Sequence, residues 1–449
     1  MAGVLDDLAA RGLIHDSTDR QALAERLDAG PVTVYCGLDP TADSLHVGNL
    51  QSLLLLRRVQ DHGHRAIALA GGATGLIGDP SGRDAERNLL DDETVTANVT
   101  AITAQMRRFI AFDGPNPAIL VDNRDWTAPM SVLEFLRDVG KHVTVNTMLA
   151  RDSVRSRMER DSGLSYTEFS YMLLQANDYV VLHDRHGCEL QVAGSDQWGN
   201  IVAGIDLIRR RSGATVHGLT APLITGSDGK KFGKSTGGGG VWLDAARTSP
   251  YQLFQYFMAT DDRDVGPWLL RLTLVGIGEI GEIVAAHEAA PHRRDGQRRL
   301  AREIVSLVHG APAVGPVEAA TSLLFGVGGL EAGGHDAGRL SDEVVGVLAA
   351  EIPTTEVRSA AGRALDVVEV VATAFGVSRG EVRRNARGYR VAGRSLDDPA
   401  VELPASGCVL LRKGKADHHL VQILDPDDGV TPARHDRGGP AGADPRWRH

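Results

Sequence analysis

The sequence predicts an α/β architecture with a mostly parallel sheet in its first half. An α-helical region follows, and a small mixed α+β region comes near the C-terminus. Two observations predict this. Short strand-like runs alternate with helical patterns up to about residue 245, and strand-like runs stop after Ser249-Pro250. The expected strands are 32–36, 65–70, 118–121 and 190–193; the expected helices between them are 50–60, 94–112, 130–139 and 168–181. Sheets of this kind bind ligands beyond the carboxyl ends of their strands. From 250 to 325 the pattern is helical, as in the spacing of Leu300, Ile304, Leu307 and Val308. The division expected is 1–245, the sheet-containing domain; 246–325, the helical domain; 326–350, a glycine-rich linker; 351–424, the small mixed domain; and 425–449, a disordered tail.

Composition bounds the rest. In 449 residues, 42% are hydrophobic and 24% charged, ordinary values that exclude wholesale disorder. No run of 18 apolar residues is present, so no transmembrane helix is expected. The N-terminal MAGVLDDLAARGLIHD lacks the pattern of a secretory signal. Cys36, Cys188 and Cys408 lie far apart with no CxxC pair, which points away from a disulfide framework or cysteine zinc site and toward a cytoplasmic setting. The net charge of −10 argues against a general nucleic-acid coat but leaves room for one local basic face.

Two segments carry chemistry. In YCGLDPTADSLHVGNL a strand ends, a turn-rich loop follows, and a helix begins near Gly48. The free N–H groups of a helix start suit phosphate, with Thr41 and His46 as further donors and Gly48 leaving room for a flat ring. Alone, the segment reads better as a plain turn with Ser44 capping a helix. In KKFGKSTGGGG, Lys231 and Lys234 on a glycine-flanked loop can neutralise a polyphosphate. The loop is not a Walker A loop, and alone it is an exposed basic turn.

Together the two segments, about 185 residues apart, resemble the paired ATP signatures of class I aminoacyl-tRNA synthetases. YCGLDPTADSLHVGNL, GGATGLIGDPSG, FLRDVGKH, YTEFSYMLLQ, GSDQWGN and KFGKS resemble, in order, the blocks of the bacterial tyrosyl-tRNA synthetases. The likeness runs over about 1–310 and more weakly over 355–424. It implies a Rossmann-like catalytic domain and an S4-like RNA-binding C-terminal domain.

The resemblance implies an enzyme that joins L-tyrosine to tRNA(Tyr) using ATP with Mg2+, and that works as a homodimer through helices near FLRDVGKH. Tyr35 and Asp178 match the positions that bond the phenolic oxygen, and a phenol is one donor and one acceptor. The tyrosine-over-phenylalanine selection of such enzymes is a worked example of discrimination by buried polar groups. Asp79, Tyr171 and Gln175 match the positions that hold the α-amino group; Tyr171, Gln175 and Asp178 fall at i, i+4 and i+7 on one helix face. Gln197 orients the carboxylate. Asp39, Gly48, Asn49, Gly194 and Asp196 match positions around ATP, with Asn123 nearby. Thr41, His46, Lys231 and Lys234 stabilise the leaving pyrophosphate, with Arg83 and Arg87 as auxiliaries. Ser195-Asp196 also reads as a helix cap. No dedicated protein metal site is expected. Cys36 is read as a small packed thiol.

The segment 376–424 holds nine Lys or Arg against five Asp or Glu, which fits a phosphate-binding face. Val377–Arg384 resembles the start of an S4-like module and 411–415 its last strand. The stretch between Ser378 and Gly393 is about two residues short of the expected spacing. Asn385 and Ala386 stand at usually apolar positions, and Arg83 stands where Lys is expected. These departures leave open a specialised paralogue, inhibitor-tolerant or biosynthetic, or a non-catalytic RNA-binding protein on the same scaffold. A tryptophan-specific relative is disfavoured, because an indole N–H only donates.

Overall fold

The computed structural model describes residues 3–81, 89–151, 154–155, 158, 164–227, 240–325, 340–358 and 365–424. Two compact units emerge, 1–310 and 311–449.

In the first unit, β1 (Thr33–Leu38), β2 (Arg65–Ala70), β3 (Ile119–Asp122), β4 (Cys188–Gly194) and β5 (His217–Ala221) form a five-stranded sheet of order β3-β2-β1-β4-β5. All pairings are parallel, with Tyr35 level with Ile67 on one side and Gln191 on the other. The strand order reverses between β1 and β4, so a crevice opens beyond their carboxyl ends. Helices α1 (Val47–Asp61), α2 (Asp92–Phe109), α3 (Tyr166–His186) and α4 (Trp198–Ser212) cross between the strands. Helix α3 is capped by Ser165, whose Oγ accepts from Glu168 N–H, and stops at Gly187, where φ is 61°. Its apolar side packs Met172, Leu173, Ala176, Tyr179 and Val180 into one core with Ile67, Leu69 and Leu207.

The four expected strands are present, and the parallel fold is as predicted. The sequence reading missed β5, whose HGLTA is short and lacks an apolar run. It is nonetheless buried, because residues 15–18 cover its edge: His15 N–H donates to Thr220 O at 2.7 Å and Thr18 N–H to Gly218 O at 3.0 Å. The expected helix 130–139 starts later, as Val132–Glu134 behind a Ser131–Glu134 capping box, and widens into a π turn over Phe135–Val139. Ser44 does not cap α1. Its hydroxyl donates to Leu45 O at 2.8 Å, and His46 occupies the cap position. Ser195 and Asp196 likewise lie inside a 3-10 turn with Gly194 at its cap position, and Gln197 takes the cap position of α4.

Helices α5 (Pro250–Met258), α6 (Asp262–Leu272), α7 (Ile277–Ala289) and α8 (Asp295–His309) complete this unit. Leu300, Ile304 and Val308 on α8 are buried, and Phe257 meets Trp268 edge to face at 6.2 Å. The buried Arg58 of α1 donates to Leu270 O at 3.2 Å and also to Thr273 O, while Arg11 donates to Val275 O at 3.1 Å. Two guanidinium groups thus satisfy carbonyls at and beyond the C-terminal end of α6.

In the second unit, β6 (Thr354–Arg358), β7 (Tyr389–Val391), β8 (Arg394–Ser395), β9 (Gly407–Lys413) and β10 (Asp417–Leu424) form a sheet of order β6-β10-β9-β7-β8. The sheet packs against the helices Val367–Phe375 and Arg379–Arg384 through Val370, Val371, Val382, Val409, Leu411 and Val421. The reading of 411–415 as the last strand is corrected. Leu411 belongs to β9, Gly414 turns the chain at φ 65°, and β10 follows. His418 and His419 hid β10 from an apolar-run search. Of the expected linker 326–350, residues 326–339 lie outside the described residues, as does the tail 425–449, whereas the rest is corrected to a helix, Asp342–Glu351, whose cap Ser341 accepts from Val344 N–H.

Candidate active site

The floor of the crevice is built from buried polar side chains. Tyr35, on β1, is buried, its ring centre 5.2 Å from that of Tyr179 in an edge-to-face contact. Its Oη has no hydrogen-bond partner among the described residues. Asp178, on α3, is also buried; Asn123 Nδ2 donates to one carboxylate oxygen at 2.9 Å and Trp126 Nε1 to the other at 2.8 Å. Burial pushes its carboxyl up to about 7; the two donors pull the other way, and Asp39 and Asp122 add to the rise. The Arg185 guanidinium lies 5.8 Å from the Trp126 ring centre, against its face.

The i, i+4, i+7 face of α3 is realised, with Tyr171 and Asp178 buried and Gln175 half-buried. Asp79 accepts from Gln197 Nε2 at 2.6 Å and from Ser81 N–H at 2.9 Å. Asn200 Nδ2 donates to Gln175 Oε1 at 3.0 Å and to Gln197 Oε1 at 3.1 Å, tying those two together. Tyr171 Oη donates to Asp39 Oδ2 at 2.9 Å, and Thr74 Oγ1 donates to Asp39 Oδ1 at 2.7 Å. A Cβ at Gly71 would fall on Asp39 Oδ1 and Thr74 Oγ1, and one at Gly72 on the Asp122 carboxylate. The bare backbone of the GGATG segment is therefore what lets these carboxylates close in.

Around the start of α1 the site is open. Thr41 and His46 are exposed, and Asn49 Oδ1 accepts from His46 N–H at 3.0 Å. A Cβ at Gly48 would lie 2.8 Å from His46 Cε1, so the flat ring that Gly48 accommodates is the imidazole of His46 itself. Gly194 does the same for Asp196, whose Oδ1 would be 2.8 Å from an added Cβ. Lys231, Lys234, Arg83 and Arg87 lie outside the described residues. The chain beyond them is described. Val47 N–H donates to Val241 O at 2.9 Å, Leu243 N–H to Leu45 O at 2.8 Å, and Trp242 stands 6.3 Å from His46, ring to ring. The end of the lysine–glycine segment therefore returns to the helix start that carries His46.

Cys36 is buried, and burial pushes its thiol up to about 12, so it is a packed thiol rather than a nucleophile. Thr74, Trp126 and Asn200 were missed from sequence. A Trp or Thr gives no signal until its polar atom is seen aimed at a buried partner. In the second unit, Arg387 pairs with Asp397 at 3.0 Å and Lys413 with Glu381 at 3.7 Å, so part of the basic excess is internally balanced.

The family model for tRNA synthetases class I (W and Y) matches residues 27–326. A tyrosine–tRNA ligase of Opitutus terrae is 50% identical over 432 residues, covering 94% of this chain and 100% of its own length. One from Mycobacterium sp. (strain JLS) is 53% identical over 386 residues, covering 86% and 89%. The crystal structure of a C-terminally truncated Aspergillus nidulans mitochondrial tyrosyl-tRNA synthetase matches with a TM-score of 0.66 at 32% identity, covering 72% of this chain and 95% of that one.

Proposed function

The chain belongs to the class I tRNA synthetases of the tryptophan and tyrosine type, and from that membership we propose that it activates L-tyrosine with ATP and transfers it to tRNA(Tyr). It is an aminoacyl-tRNA synthetase, a ligase of protein biosynthesis. The observation that carries the choice of tyrosine is the buried, unbonded Tyr35 Oη in a pocket that also holds Asp178. The Tyr35 hydroxyl donates to a phenolic oxygen and Asp178 accepts its proton. An amino acid lacking that hydroxyl leaves both groups unpaired, at a cost of about 1–3 kcal/mol each.

In the proposed reaction the tyrosine carboxylate attacks the α-phosphate of ATP, giving tyrosyl-adenylate and pyrophosphate. A terminal ribose hydroxyl of tRNA then attacks the mixed anhydride. Asp79, Tyr171 and Gln175 hold the ammonium, and Gln197 orients the carboxylate. Asp39, Gly48, Asn49, Gly194 and Asp196 border the nucleotide. Thr41 and His46 from the helix start, with Lys231 and Lys234, stabilise charge on the departing pyrophosphate. Among the described residues no group of three or more His, Cys, Asp or Glu side chains is placed to hold a metal ion. Magnesium is proposed to enter with the polyphosphate of ATP.

The same division of labour assigns 1–245 to catalysis, 246–325 to a helical domain and 351–424 to RNA binding, with 326–350, which carries the start of the helix Asp342–Glu351, between the last two and the tail 425–449 after them. A homodimer is proposed through the segment 132–149, on which Val132, Leu133, Leu136 and Val145 are exposed. Light scattering on the Leu133→Asp variant reads this: a monomer is expected. No helix among the described residues is long and apolar enough to cross a membrane. A cytoplasmic setting is proposed from the three unpaired cysteines.

The test is amino-acid-dependent ATP–pyrophosphate exchange across the twenty amino acids, repeated as tRNA charging. Exchange with tyrosine alone, followed by charging, is expected. Exchange without charging would favour a specialised paralogue. The six-residue helix Arg379–Arg384, ended at Asn385, is the feature that favours that second reading.

A further inference from the structure

One hydrogen-bond chain crosses the whole tyrosine pocket. It starts at Asp178, passes through Asn123 and Thr74 to Asp39, and ends at Tyr171. Asn123 Nδ2 donates to Asp178 Oδ2 at 2.9 Å and to Thr74 Oγ1 at 2.9 Å. Thr74 Oγ1 donates to Asp39 Oδ1 at 2.7 Å, and Tyr171 Oη donates to Asp39 Oδ2 at 2.9 Å. Thr74, Asn123, Tyr171 and Asp178 are all buried.

The direction of each bond is forced. Ala73 N–H donates to Asn123 Oδ1 at 2.7 Å, and a backbone N–H cannot accept. The Asn123 oxygen is thereby fixed, and its two N–H groups face Asp178 and Thr74. Thr74 has a single proton. Because Asn123 donates to its oxygen, that proton goes to Asp39. Asp39 accepts from Thr74 at Oδ1 and from Tyr171 at Oδ2, so the Tyr171 proton is taken up by Asp39. The Tyr171 oxygen is left as an acceptor, the character an ammonium requires. At the other end, Asp178 receives donors at both oxygens and is held as an acceptor for a phenolic proton.

We infer that Thr74 is a positioning residue whose one hydroxyl joins the two ends of the tyrosine pocket, holding Asp39 under Tyr171 on the ammonium side and Asn123 under Asp178 on the phenol side. The inference rests on the tyrosine-activating reading and deepens it. Thr74 touches no reacting atom; it acts through Asp39 and Asn123. The close packing of this relay is independently visible in Gly71, where any side chain would displace the contact between Asp39 and Thr74.

The test compares three ligands on the full chain: tyrosine; phenylalanine, which lacks the phenolic group; and 3-(4-hydroxyphenyl)propanoate, which lacks the ammonium. Their dissociation constants are measured by equilibrium competition for the natural chain, Thr74→Val and Thr74→Ser, with melting temperatures alongside. Thr74→Val is expected to weaken tyrosine about ten- to a hundredfold, the size of hydrogen bonds to charged groups. Each analogue is expected to weaken several-fold less than tyrosine, because it uses only one end of the relay. Thr74→Ser should restore all three. Equal weakening of the three ligands, weakening of tyrosine matched in full by one analogue, no weakening, or failure of serine to restore binding would each overturn the inference. If Thr74→Val does not fold, the same comparison on Thr74→Ala decides. Tyrosine-dependent exchange by the natural chain is run in parallel. Its absence overturns the underlying reading, whereas its presence with any overturning result above removes only the role of Thr74.

Discussion

The floor of the pocket and its rim solve opposite problems on the same sheet. Thr74, Asn123 and Asp178 are buried and bonded to one another, and Tyr35 is buried beside them. Thr41, His46 and Asp196, at the ends of β1 and β4, are exposed. Selecting one hydroxyl from water requires desolvated groups that lose heavily when unpaired. Stabilising a departing pyrophosphate requires donors that the nucleotide can reach and leave. With the proposed roles, the comparison teaches that preorganisation is concentrated where the ligand would be read, and access where charge would move.

The strongest way to break this contrast is at the rim. The Lys231→Ala, Lys234→Ala double variant is expected to slow adenylate formation by at least about 10²–10³-fold, with tyrosine affinity nearly unchanged. Single-turnover kinetics with equilibrium dialysis separates the two, and equal losses would make the lysines structural. At the floor, Asp178→Ala should weaken tyrosine binding about ten- to a hundredfold while phenylalanine binding changes little. Unchanged tyrosine affinity would remove Asp178 from the phenol. His46→Ala is smaller still: about tenfold slower adenylate formation with a small change in melting temperature is expected, because the imidazole is exposed. A fall in melting temperature of many degrees would mean that it serves the fold.

The smallest effect is in pH. The phenol donates to the ionised form of Asp178, so tyrosine affinity should rise several-fold as pH increases through about 7, and phenylalanine affinity should not follow. The stability sign is opposite. A carboxyl raised from 3.8 to about 7 binds its proton more tightly folded than unfolded, so its contribution falls as pH rises across that window. Calorimetric titration and thermal melts on the natural chain and Asp178→Asn check both; a pH-independent tyrosine affinity would place the carboxyl well below 7.

Much of this site was legible residue by residue. The i, i+4, i+7 spacing of Tyr171, Gln175 and Asp178 follows from helical geometry, and α3 places them on one face as expected. Other features were not legible. The strand β5 depends on an edge partner two hundred residues away, at 15–18, which no local pattern encodes. His46 takes the cap position expected for Ser44, because Ser44 is engaged with Leu45 and Gln105. The last strand of the second unit was misplaced by one hairpin, since a histidine-rich strand resembles a loop.

The sequence by itself determined the alternation of the first four strands with their helices, the helical face that carries Tyr171, Gln175 and Asp178, and the residue types a phenol and a triphosphate call for. These are local, set by periodicity, turn chemistry and side-chain donor inventory. The tertiary structure alone decided which donor faces which acceptor. Trp126 meets Asp178 across 52 residues and Thr74 meets Asp39 across 35. Partners so far apart in the chain are selected by packing, because a buried polar group must find its complement in space and not in sequence.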